Sequence, residues 1–420
     1  MVSSDLVIGV DVGTTKVCTV VAEAFLSRDT VDILGVGVAP NTGMRRGQVV
    51  NHDAVVRAVR DSVRSAEAAA DVDARTGVLS LGGEHLASQT EIGMQDLGSV
   101  RLVTEEHVET VRGQGREIQL PPGREVVHVD AADYTLDDRQ GIPSPAGLTG
   151  RHLEARLNIV TGSTAARTAL HECLTAAGLG VHNCVLQSIA LGLACLTEEE
   201  RQLGVVLFSL GGGTTDVAYF RHGALAFQAV VPAGGLSVTR DLAECVGMSE
   251  EEAERLKLSH GSVQAPRDSD EEIEYRASVS GELMAAPVAF FREVIAARVE
   301  ETLELARDRL MVRGCLAAAP CGLVLAGGGS LMPGVADLAK RVFGGMPVRR
   351  SEPRRVGSGG EMLRDVGSLT ALGLVLLASE WMRAEAAQEV TLGWFQRLVA
   401  MLKSILGIGA SRDRRTQRRG

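Results

Sequence analysis

The sequence has few aromatic residues, and its cysteines lack the spacing of a disulfide framework or a metal site. Aromatics make up 3% of the 420 residues, so Val, Leu and Ala must form most of the core. The seven cysteines include no CxxC pair, and none stands at zinc-ligand spacing from a histidine. An odd number of scattered cysteines indicates small core residues in a reduced cytoplasm.

Long apolar runs and a net basic charge are also missing. Asp5 and Asp11 interrupt the apolar N-terminal stretch, which argues against a signal peptide. No run reaches the roughly 18 apolar residues of a membrane-spanning helix. The net charge of -10 argues against nucleic acid as the main partner, because phosphate binding favours a basic surface. With 45% hydrophobic and 23% charged residues, the chain is predicted to be globular, and either cytosolic or peripheral to a membrane.

A strand–turn–strand pattern occurs twice, about 200 residues apart. Apolar β-branched residues on both sides of a Gly-Thr turn predict one hairpin at 6–22 and a second at 205–220. The near-identity of GTTKV in the first and GTTDV in the second indicates an internal duplication. We therefore expect two α/β domains, each opening with the same hairpin.

Helical periodicity predicts a helix from Asp53, its N-cap, to residue 70, and another over 163–177 that is ended by Gly178. A longer helix is predicted over 282–312, with Pro287 in its first turns. Polar composition predicts surface loops at 262–275 and 349–362.

Three glycine-rich turns follow apolar strands, at 11–16, 209–216 and 326–334. The P-loop and Rossmann fingerprints are absent. Glycines allow the backbone to approach phosphate closely, and successive N–H groups form an anion-binding nest to which threonine hydroxyls add donors. Asp11 and Asp216 are placed to hold a magnesium ion through water. A tight hairpin without a ligand explains one such turn equally well, but three turns on three strands favour a phosphate site.

These turns resemble those of the actin, Hsp70 and sugar-kinase superfamily, in which two turns bind phosphate and a third contacts adenosine. The resemblance extends to EAERLKLSHG at 252–261, where Glu254 and Lys257 match the residues that touch the nucleoside. A solvated helix face with charges three residues apart is the alternative for this pair. The implied ligands are ATP and Mg²⁺. The residues assigned to the nucleotide are Gly13, Thr14, Thr15, Lys16, Gly211, Gly212, Gly213, Thr214, Thr215, Gly234, Gly235, Glu254, Lys257, Gly327, Gly328 and Gly329.

Over nearly the whole chain the sequence resembles the bacterial cell-division family FtsA. Blocks that carry the resemblance are RRGQVVNHDAVVRAV at 45–59, NIVTGSTAA at 158–166, LTEEERQLGVVL at 196–207 and LVLAGGGSLMPG at 323–334. The stretch at 121–155, from PPGREVVHVD to GRHLEA, decides between relatives. It matches the FtsA-specific subdomain 1C, which actins, chaperones and sugar kinases lack.

The resemblance implies an α/β, actin-like fold of two duplicated α/β domains around a nucleotide cleft, with an FtsA-type 1C subdomain. The implied boundaries are 1–83, 159–199 and 365–381 for domain 1A, 84–158 for subdomain 1C, 200–235 and 313–364 for domain 2A, and 236–312 for domain 2B.

The resemblance also implies a function. FtsA-like proteins bind ATP, assemble into actin-like filaments, and recruit FtsZ through its C-terminal tail peptide. They act on the cytoplasmic face of the cell membrane at the division septum and help to recruit later division proteins. Two alternatives stay open: an enzyme of the sugar-kinase type, for which no block supplies a catalytic Asp, and a relative of the pilus-assembly protein PilM, which lacks a membrane helix.

Three positions depart from the family pattern at chemically important places. Ser209 stands where the second phosphate loop begins with Asp, Gln187 begins a Gln-Ser where the family has Glu-Pro, and Leu236 replaces the Asp of a GGD loop. The glycines that cradle phosphate are kept, whereas negative charge that positions magnesium and water is lost. Gln187 and Asp216 remain as candidate catalytic residues, and Asp11 and Asp216 as candidate metal ligands, which predicts at most a slow ATPase.

After a predicted linker at 382–391, the segment 392–408 has the pattern of an amphipathic helix. Placing each residue about 100° after the last collects the large apolar side chains on one arc. A helix this short is typical of one that lies in the interface of an anionic membrane, with the basic tail at 409–420 as a second signal. Packing on the protein's own core is the alternative. The predicted membrane-contacting residues are Trp394, Phe395, Leu398, Leu402, Ile405 and Leu406.

Overall fold

Two five-stranded sheets that contain the same hairpin form the frame of the molecule. The structure, a computed structural model, describes residues 4–264, 271–278, 280–363 and 366–405, and for 388–405 it describes the helical backbone alone. The strands are β1 (Ser4–Val12), β2 (Lys16–Phe25), β3 (Val31–Pro40), β4 (Met44–Arg45), β5 (Gln48–Val49), β6 (Thr76–Leu81), β7 (Ala87–Leu102), β8 (Arg124–Leu136), β9 (Arg139–Ile142), β10 (Thr149–Ser163), β11 (Gly180–Leu186), β12 (Val205–Leu210), β13 (Thr215–Arg221), β14 (Ala224–Val231), β15 (Glu272–Arg276), β16 (Leu283–Pro287), β17 (Leu323–Ala326) and β18 (Val348–Arg350). The helices are α1 (His52–Ala70), α2 (Glu105–Gly113), α3 (Thr164–Ala177), α4 (Gln187–Cys195), α5 (Glu198–Leu203), α6 (Gly235–Val246), α7 (Glu250–His260), α8 (Val288–Val312), α9 (Val335–Val342) and α10 (Leu369–Ile405).

The two large sheets share one topology. The first has the strand order β11-β6-β1-β2-β3 and the second β14-β13-β12-β17-β18. In each sheet an antiparallel hairpin, β1–β2 or β12–β13, lies beside a parallel strand, β6 next to β1 and β17 next to β12. Both predicted hairpins are confirmed, and the shared topology agrees with the predicted duplication.

A third sheet is inserted between β6 and α3. Its strand order is β7-β10-β8-β9, and helix α2 packs against it. Leu136, Leu153 and Leu157 are fully buried in a core formed by this sheet together with α2. The chain therefore has a small subdomain of its own in the interval where the sequence predicts one.

Two helices of the first domain test the predicted helix ends. Helix α3 is confirmed: the Ser163 side chain caps its start, and Gly178 ends it with a φ of 99° in the left-handed region. Helix α1 starts earlier than predicted. Its N-cap is Asn51, whose Oδ1 accepts the N–H of Ala54 at 3.1 Å, so Asp53 lies inside the first turn and the predicted cap is wrong.

The predicted start of the long helix is also wrong. Residues 283–287 form β16, which pairs antiparallel with β15, and helix α8 begins at Val288. Pro287 ends the strand and provides no N–H, so the helix starts directly after it. Strand β15 occupies 272–276, which corrects the end of the loop predicted at 262–275; residues 265–270 lie outside the described residues.

Helix α10 runs through the predicted linker. It begins in the core, where Leu372, Val375 and Leu376 are fully buried, and continues to Ile405 without a break at 382–391. That interval holds no Gly or Pro and is rich in Ala and Glu, which are strong helix formers. Residues 406–420, including the end of the predicted membrane helix and the basic tail, lie outside the described residues. Among the described helices, none has the length and apolarity needed to span a membrane.

Candidate functional site

The two Gly-Thr turns face each other across a cleft between the two large sheets. In each turn the first glycine donates its N–H to the carbonyl three residues on, over 2.9 Å from Gly13 and 3.0 Å from Gly211. The turns are in contact, because a Cβ added to Gly212 would lie only 2.5 Å from Cγ2 of Thr15. Glycine is therefore required for the two turns to approach this closely.

A cavity of about 470 Å³ lies between the turns and reaches both domains. The predicted residues that line it are Asp11, Gly13, Thr14, Thr15, Lys16, Gln187, Gly211, Gly212, Gly213, Thr214, Asp216, Gly235, Glu254, Lys257, Gly327, Gly328 and Gly329. Two of the predicted residues do not line the cavity. Thr215 is buried and donates its hydroxyl to the Ala233 carbonyl at 2.9 Å, and Gly234 is the N-cap of α6.

Two carboxylates lie at the bottom of the cavity, at the ends of the paired hairpins. Ser80 donates its hydroxyl to Oδ1 of Asp11 at 2.5 Å, since the carboxyl ends of the parallel strands β1 and β6 meet at one edge. Thr214 donates to Oδ2 of Asp216 at 3.2 Å. Oδ1 of Asp216 is buried without a hydrogen-bond partner among the described residues. An orphaned carboxylate oxygen in this position favours a cation as its partner.

The pKa shifts of Asp11 and Asp216 agree with a cation at this position. The pKa of Asp216 is raised to about 7, chiefly by burial and also by the negative charge of Asp11, while the Thr214 hydroxyl lowers it. Burial also raises the pKa of Asp11, while Ser80 and the Lys16 ammonium lower it. Burial is the largest cause of both shifts.

The donor set suits a hard cation that keeps its water. No group of three or more His, Cys, Asp and Glu side chains that could enclose a metal occurs in the described part of the chain. Two carboxylates beside a phosphate-sized cleft are instead the usual surroundings of Mg²⁺, which is held by few protein oxygens plus waters and substrate phosphates. Asp11 and Asp216 thus fit the predicted metal.

Gln187 and Ser209 form an uncharged pair beside the carboxylates. Ser209 is paired in register with Asp216 across the β12–β13 ladder and is 7% exposed. Nε2 of Gln187, the first residue of α4, donates to the Ser209 hydroxyl at 3.4 Å. This pair can position a water by hydrogen bonds, but it supplies no carboxylate base.

Lys257 is not part of a solvated helix face, which removes that alternative for it. Its side chain is 9% exposed, and Nζ donates to the Gly235 carbonyl at 3.0 Å, to the Thr239 hydroxyl at 2.8 Å and to Oε2 of Glu254 at 2.6 Å. The ammonium thus connects α7 to the first turn of α6 at the wall of the cavity. Glu254 is 36% exposed and lines the same wall.

The third glycine-rich turn closes the far end of the cavity. Gly327 has a φ of 78°, and a Cβ there would lie 2.6 Å from the Leu210 carbonyl oxygen. Gly328 faces open space, with nothing within 4 Å of an added Cβ. Apolar side chains complete this end: Leu258, Leu331, Met332 and Pro333. An apolar wall opposite a bare glycine backbone suits a flat aromatic group.

A third side of the cleft was not predicted from the sequence. Ser80, Gly82 and Gly83 at the end of β6, and Gly47 from the β4–β5 turn, also line the cavity. Gly47 and Gly83 pack so closely that a Cβ on either would collide with the other's backbone. The available signal was Gly82-Gly83 directly after the apolar strand 77–81, the same strand-then-glycine pattern as in the three turns.

Comparisons with known proteins decide the family. A family model described as "Cell division protein FtsA" matches residues 206–373, and one described as "SHS2 domain inserted in FTSA" matches residues 83–161. A protein of Neisseria meningitidis serogroup B named cell division protein FtsA is 32% identical over 374 residues, which are 87% of this chain and 88% of that protein. The chain belongs to the FtsA family of cell-division proteins.

The solved structures similar to this FtsA-family chain show its fold. A chain of a PilM–PilN type IV pilus biogenesis complex aligns with a TM-score of 0.64 at 16% identity, over 89% of this chain and 98% of that one. MreB5 of Spiroplasma citri, solved bound to ADP, aligns with a TM-score of 0.52 at 13% identity, over 92% and 98%. The fold is therefore actin-like, with two α/β domains around a cleft and the inserted FtsA-type subdomain, as predicted.

Proposed function

We propose that this protein is an ATP-binding, actin-like filament protein that tethers FtsZ to the cytoplasmic face of the cell membrane at the division septum. The observation that carries the proposal is the cleft, in which two equivalent Gly-Thr turns meet around the carboxylates of Asp11 and Asp216. The solved MreB5 of similar fold holds ADP. Membership of the FtsA family supports the role in division and the partners.

Different residues of the cleft would contact different parts of the nucleotide. Backbone N–H groups of the two turns would receive the phosphates, and the apolar wall with Gly328 would receive the base. Asp11 and Asp216 would hold Mg²⁺, which neutralises phosphate charge when it is bound. The unpaired Oδ1 of Asp216 supports this assignment.

Hydrolysis has weaker support than binding. Gln187 and Ser209 hydrogen-bond each other where the family carries a carboxylate, so no general base stands beside the attacking water. We propose that Gln187 orients the water, that Asp216 serves the metal, and that turnover is slow. The nucleotide then acts chiefly by setting the closure of the cleft and the competence of the chain to assemble.

The remaining parts of the proposal follow from the family. We propose that the chain assembles into filaments with the 84–158 subdomain at the subunit contact. We also propose that the segment 392–408 and the basic tail bind anionic lipid, that FtsZ docks by its C-terminal tail peptide, and that later division proteins are recruited. The boundaries 1–83, 159–199 and 365–381 for 1A, 200–235 and 313–364 for 2A, and 236–312 for 2B belong to the same proposal.

The experiment that tests the function is reconstitution on lipid. Fluorescent FtsZ is added to anionic vesicles with the full chain and MgATP, and the lipid-bound FtsZ is measured. Recruitment should require both this chain and ATP, and should be lost with FtsZ that lacks its C-terminal tail. Equal FtsZ binding to vesicles with and without this chain contradicts the proposal.

A further inference from the structure

The inserted sheet, formed by β7 to β10, contacts the second domain as well as the first. Strand β14 packs against β7, β8 and β10, and Leu225, near its start, is fully buried in the core shared with the first domain. Asp130 on β8 accepts the Leu225 N–H through Oδ2 at 2.9 Å, and Asn158 on β10 donates from Nδ2 to the Leu225 carbonyl at 2.8 Å. Beside them, Nδ1 of His222 lies 3.2 Å from the Ala132 carbonyl oxygen.

The two side chains that hold Leu225 are arranged as a pair. Asp130 and Asn158 are directly opposite each other in the β8–β10 register, so they project from the same face of the sheet. Each has a supporting contact inside the subdomain: Nε2 of His128 lies 3.1 Å from Oδ2 of Asp130, and Ser88 contacts Oδ1 of Asn158. Together they satisfy both backbone polar groups of one residue in another domain.

The β13–β14 hairpin that they hold starts at the nucleotide cleft. Strand β13 begins with Thr215 and Asp216 and runs, paired on both sides, to Arg221 at the inserted sheet. On the other side of the cleft, the lining residues 82–83 lead directly into the inserted subdomain. The subdomain is therefore joined covalently to the first domain and by side-chain hydrogen bonds to the second.

One buried side chain of the same hairpin lacks hydrogen bonds to the described residues. Gln228 on β14 is 3% exposed, and neither of its amide atoms has a hydrogen-bond partner in the described ranges. It lies opposite Ala218, which belongs to the core shared with the first domain. A buried amide without a partner raises the free energy of the arrangement that buries it. The hairpin that Asp130 and Asn158 hold therefore also contains a buried amide that costs free energy.

We propose that Asp130 and Asn158 form a latch that holds Leu225 when the cleft is closed and releases it when the cleft opens. The proposal rests on the proposed function, since a nucleotide is the ligand that closes the cleft. The structure shows the latch made while the two Gly-Thr turns are in contact, which assigns it to the closed arrangement. Nucleotide occupancy then sets how the inserted subdomain sits against the second domain. By reciprocity, the latch strengthens nucleotide binding by the factor by which nucleotide strengthens the latch.

Hydrogen exchange on the full chain, followed by mass spectrometry with and without MgADP or Mg²⁺ with a non-hydrolysable ATP analogue, tests the latch. Nucleotide should slow exchange of the Leu225 amide about tenfold, the effect of securing one hydrogen bond to a charged group. Asp130→Ala and Asn158→Ala should lose this protection and should bind a fluorescent nucleotide about tenfold more weakly. Asp130→Asn, which keeps the shape and removes the charge, should fall between Asp130→Ala and the unmodified chain.

Asp133→Ala is the matched control, because Asp133 pairs with Arg156 inside the inserted sheet, three residues along β8 from the latch. It should retain both nucleotide affinity and protection of Leu225. If the unmodified chain binds no nucleotide, the proposed function and the latch are both overturned. If it binds nucleotide but Leu225 exchanges equally with and without it, or if both alanine variants bind as the unmodified chain does, the latch alone is overturned.

Discussion

At the scale of single residues, Asp216 combines a structural cost with a proposed role as a metal ligand. Its carboxylate is desolvated beside that of Asp11, and one of its oxygens has no partner in the described part of the chain. In the protein without metal, this arrangement destabilises the charged form. The same arrangement would offer a divalent cation two neighbouring carboxylates, because few other groups neutralise their negative charge. As pH rises, the stability of the metal-free protein should therefore fall, and its affinity for a divalent cation should rise.

The stability of the metal-free protein tests this cost. The folded pKa of Asp216 is about 7 and its unperturbed pKa is 3.8, so between these values the folded protein holds a proton that the unfolded chain has released. Stability therefore falls as pH rises from about 4 to 7. In EDTA, Asp216→Asn should be more stable than the unmodified chain at pH 8, by roughly 1–4 kcal/mol.

Urea unfolding at pH 8 and pH 5 measures this difference, which should shrink at the lower pH. The control Asp308→Asn changes a carboxylate that is 63% exposed on α8 and should leave the pH dependence unaltered. A stability difference for Asp216→Asn that stays the same at both pH values contradicts the assignment.

Ser209 is the residue at which the chemistry of the cleft should change most. Ser209→Asp places a carboxylate beside Gln187 and across the ladder from Asp216. With MgATP present, steady-state hydrolysis should rise at least about tenfold, because a positioned base assists the attack of water. Ser209→Asn has the same size without the charge and should stay slow. Equal rates for the two variants, or brisk hydrolysis by the unmodified chain, would show that Ser209 does not limit turnover.

At the scale of elements, the glycine-rich turns differ in what a side chain would meet. Gly212 is packed against Thr15, so a substitution there disturbs the contact between the domains. Gly328 has open space on the cavity side. Gly328→Leu should leave the melting temperature within a few degrees and weaken ATP binding by about tenfold or more, since the leucine fills the space of the base. Calorimetric titration measures the affinity.

The matched control for Gly328→Leu is Gly113→Leu, another glycine with nothing within 4 Å of an added Cβ, placed in the inserted subdomain away from the cavity. It should bind ATP as the unmodified chain does. If Gly328→Leu binds ATP with unchanged affinity, the third turn does not contact the nucleotide.

The segment 392–408 contains the predicted membrane contact. Trp394→Glu and Leu402→Glu each place a charge on its apolar arc and should release the chain from anionic vesicles in sedimentation, with ATP binding unchanged. Gln396→Glu makes the same change of charge on the opposite arc and should reduce binding far less. Continued sedimentation of both apolar-arc variants would refute the anchor.

Local chemistry explains which elements could be predicted. A glycine between two β-branched runs is compatible with few structures other than a hairpin, so the hairpins around Gly13 and Gly211 could be predicted. The glycines after strand 77–81 indicate a turn, but that this turn reaches the cleft depends on β6 pairing in parallel with β1, a long-range contact that the local pattern does not encode. Glu254 and Lys257 have a spacing that is the same on a solvated face and in a cavity wall, so only packing distinguishes the two.

At the scale of the whole molecule, strand β7 offers a surface for assembly. It is an edge strand of the inserted sheet, and it exposes apolar side chains: Ile92, Met94, Val100 and Leu102 are each more than half exposed. An apolar edge strand favours pairing with another chain. We expect Ile92→Glu combined with Met94→Glu to abolish regular filaments on lipid while the melting temperature and ATP binding stay unchanged.

Electron microscopy of lipid monolayers with MgATP measures this effect on assembly. Val38→Glu is the control, since Val38 is 47% exposed on β3, an edge strand of the first sheet. Filaments of normal appearance from the double variant would remove β7 from the subunit contact.

Helix α10 is one long helix that connects the core of the molecule to the segment predicted to contact the membrane. Its first turns are buried in the core beside the cavity, where Gly367 and Thr370 contribute to the lining. Its 37 residues extend about 55 Å at 1.5 Å per residue, with no proline and with glycines at Gly373 and Gly393. A continuous helix transmits bending and rotation that a flexible tether would dissipate. In the membrane-bound filament proposed above, force at the bilayer would act as torque on the wall of the cleft, and the lean of each subunit relative to the membrane would be coupled to the closure of its own proposed nucleotide site.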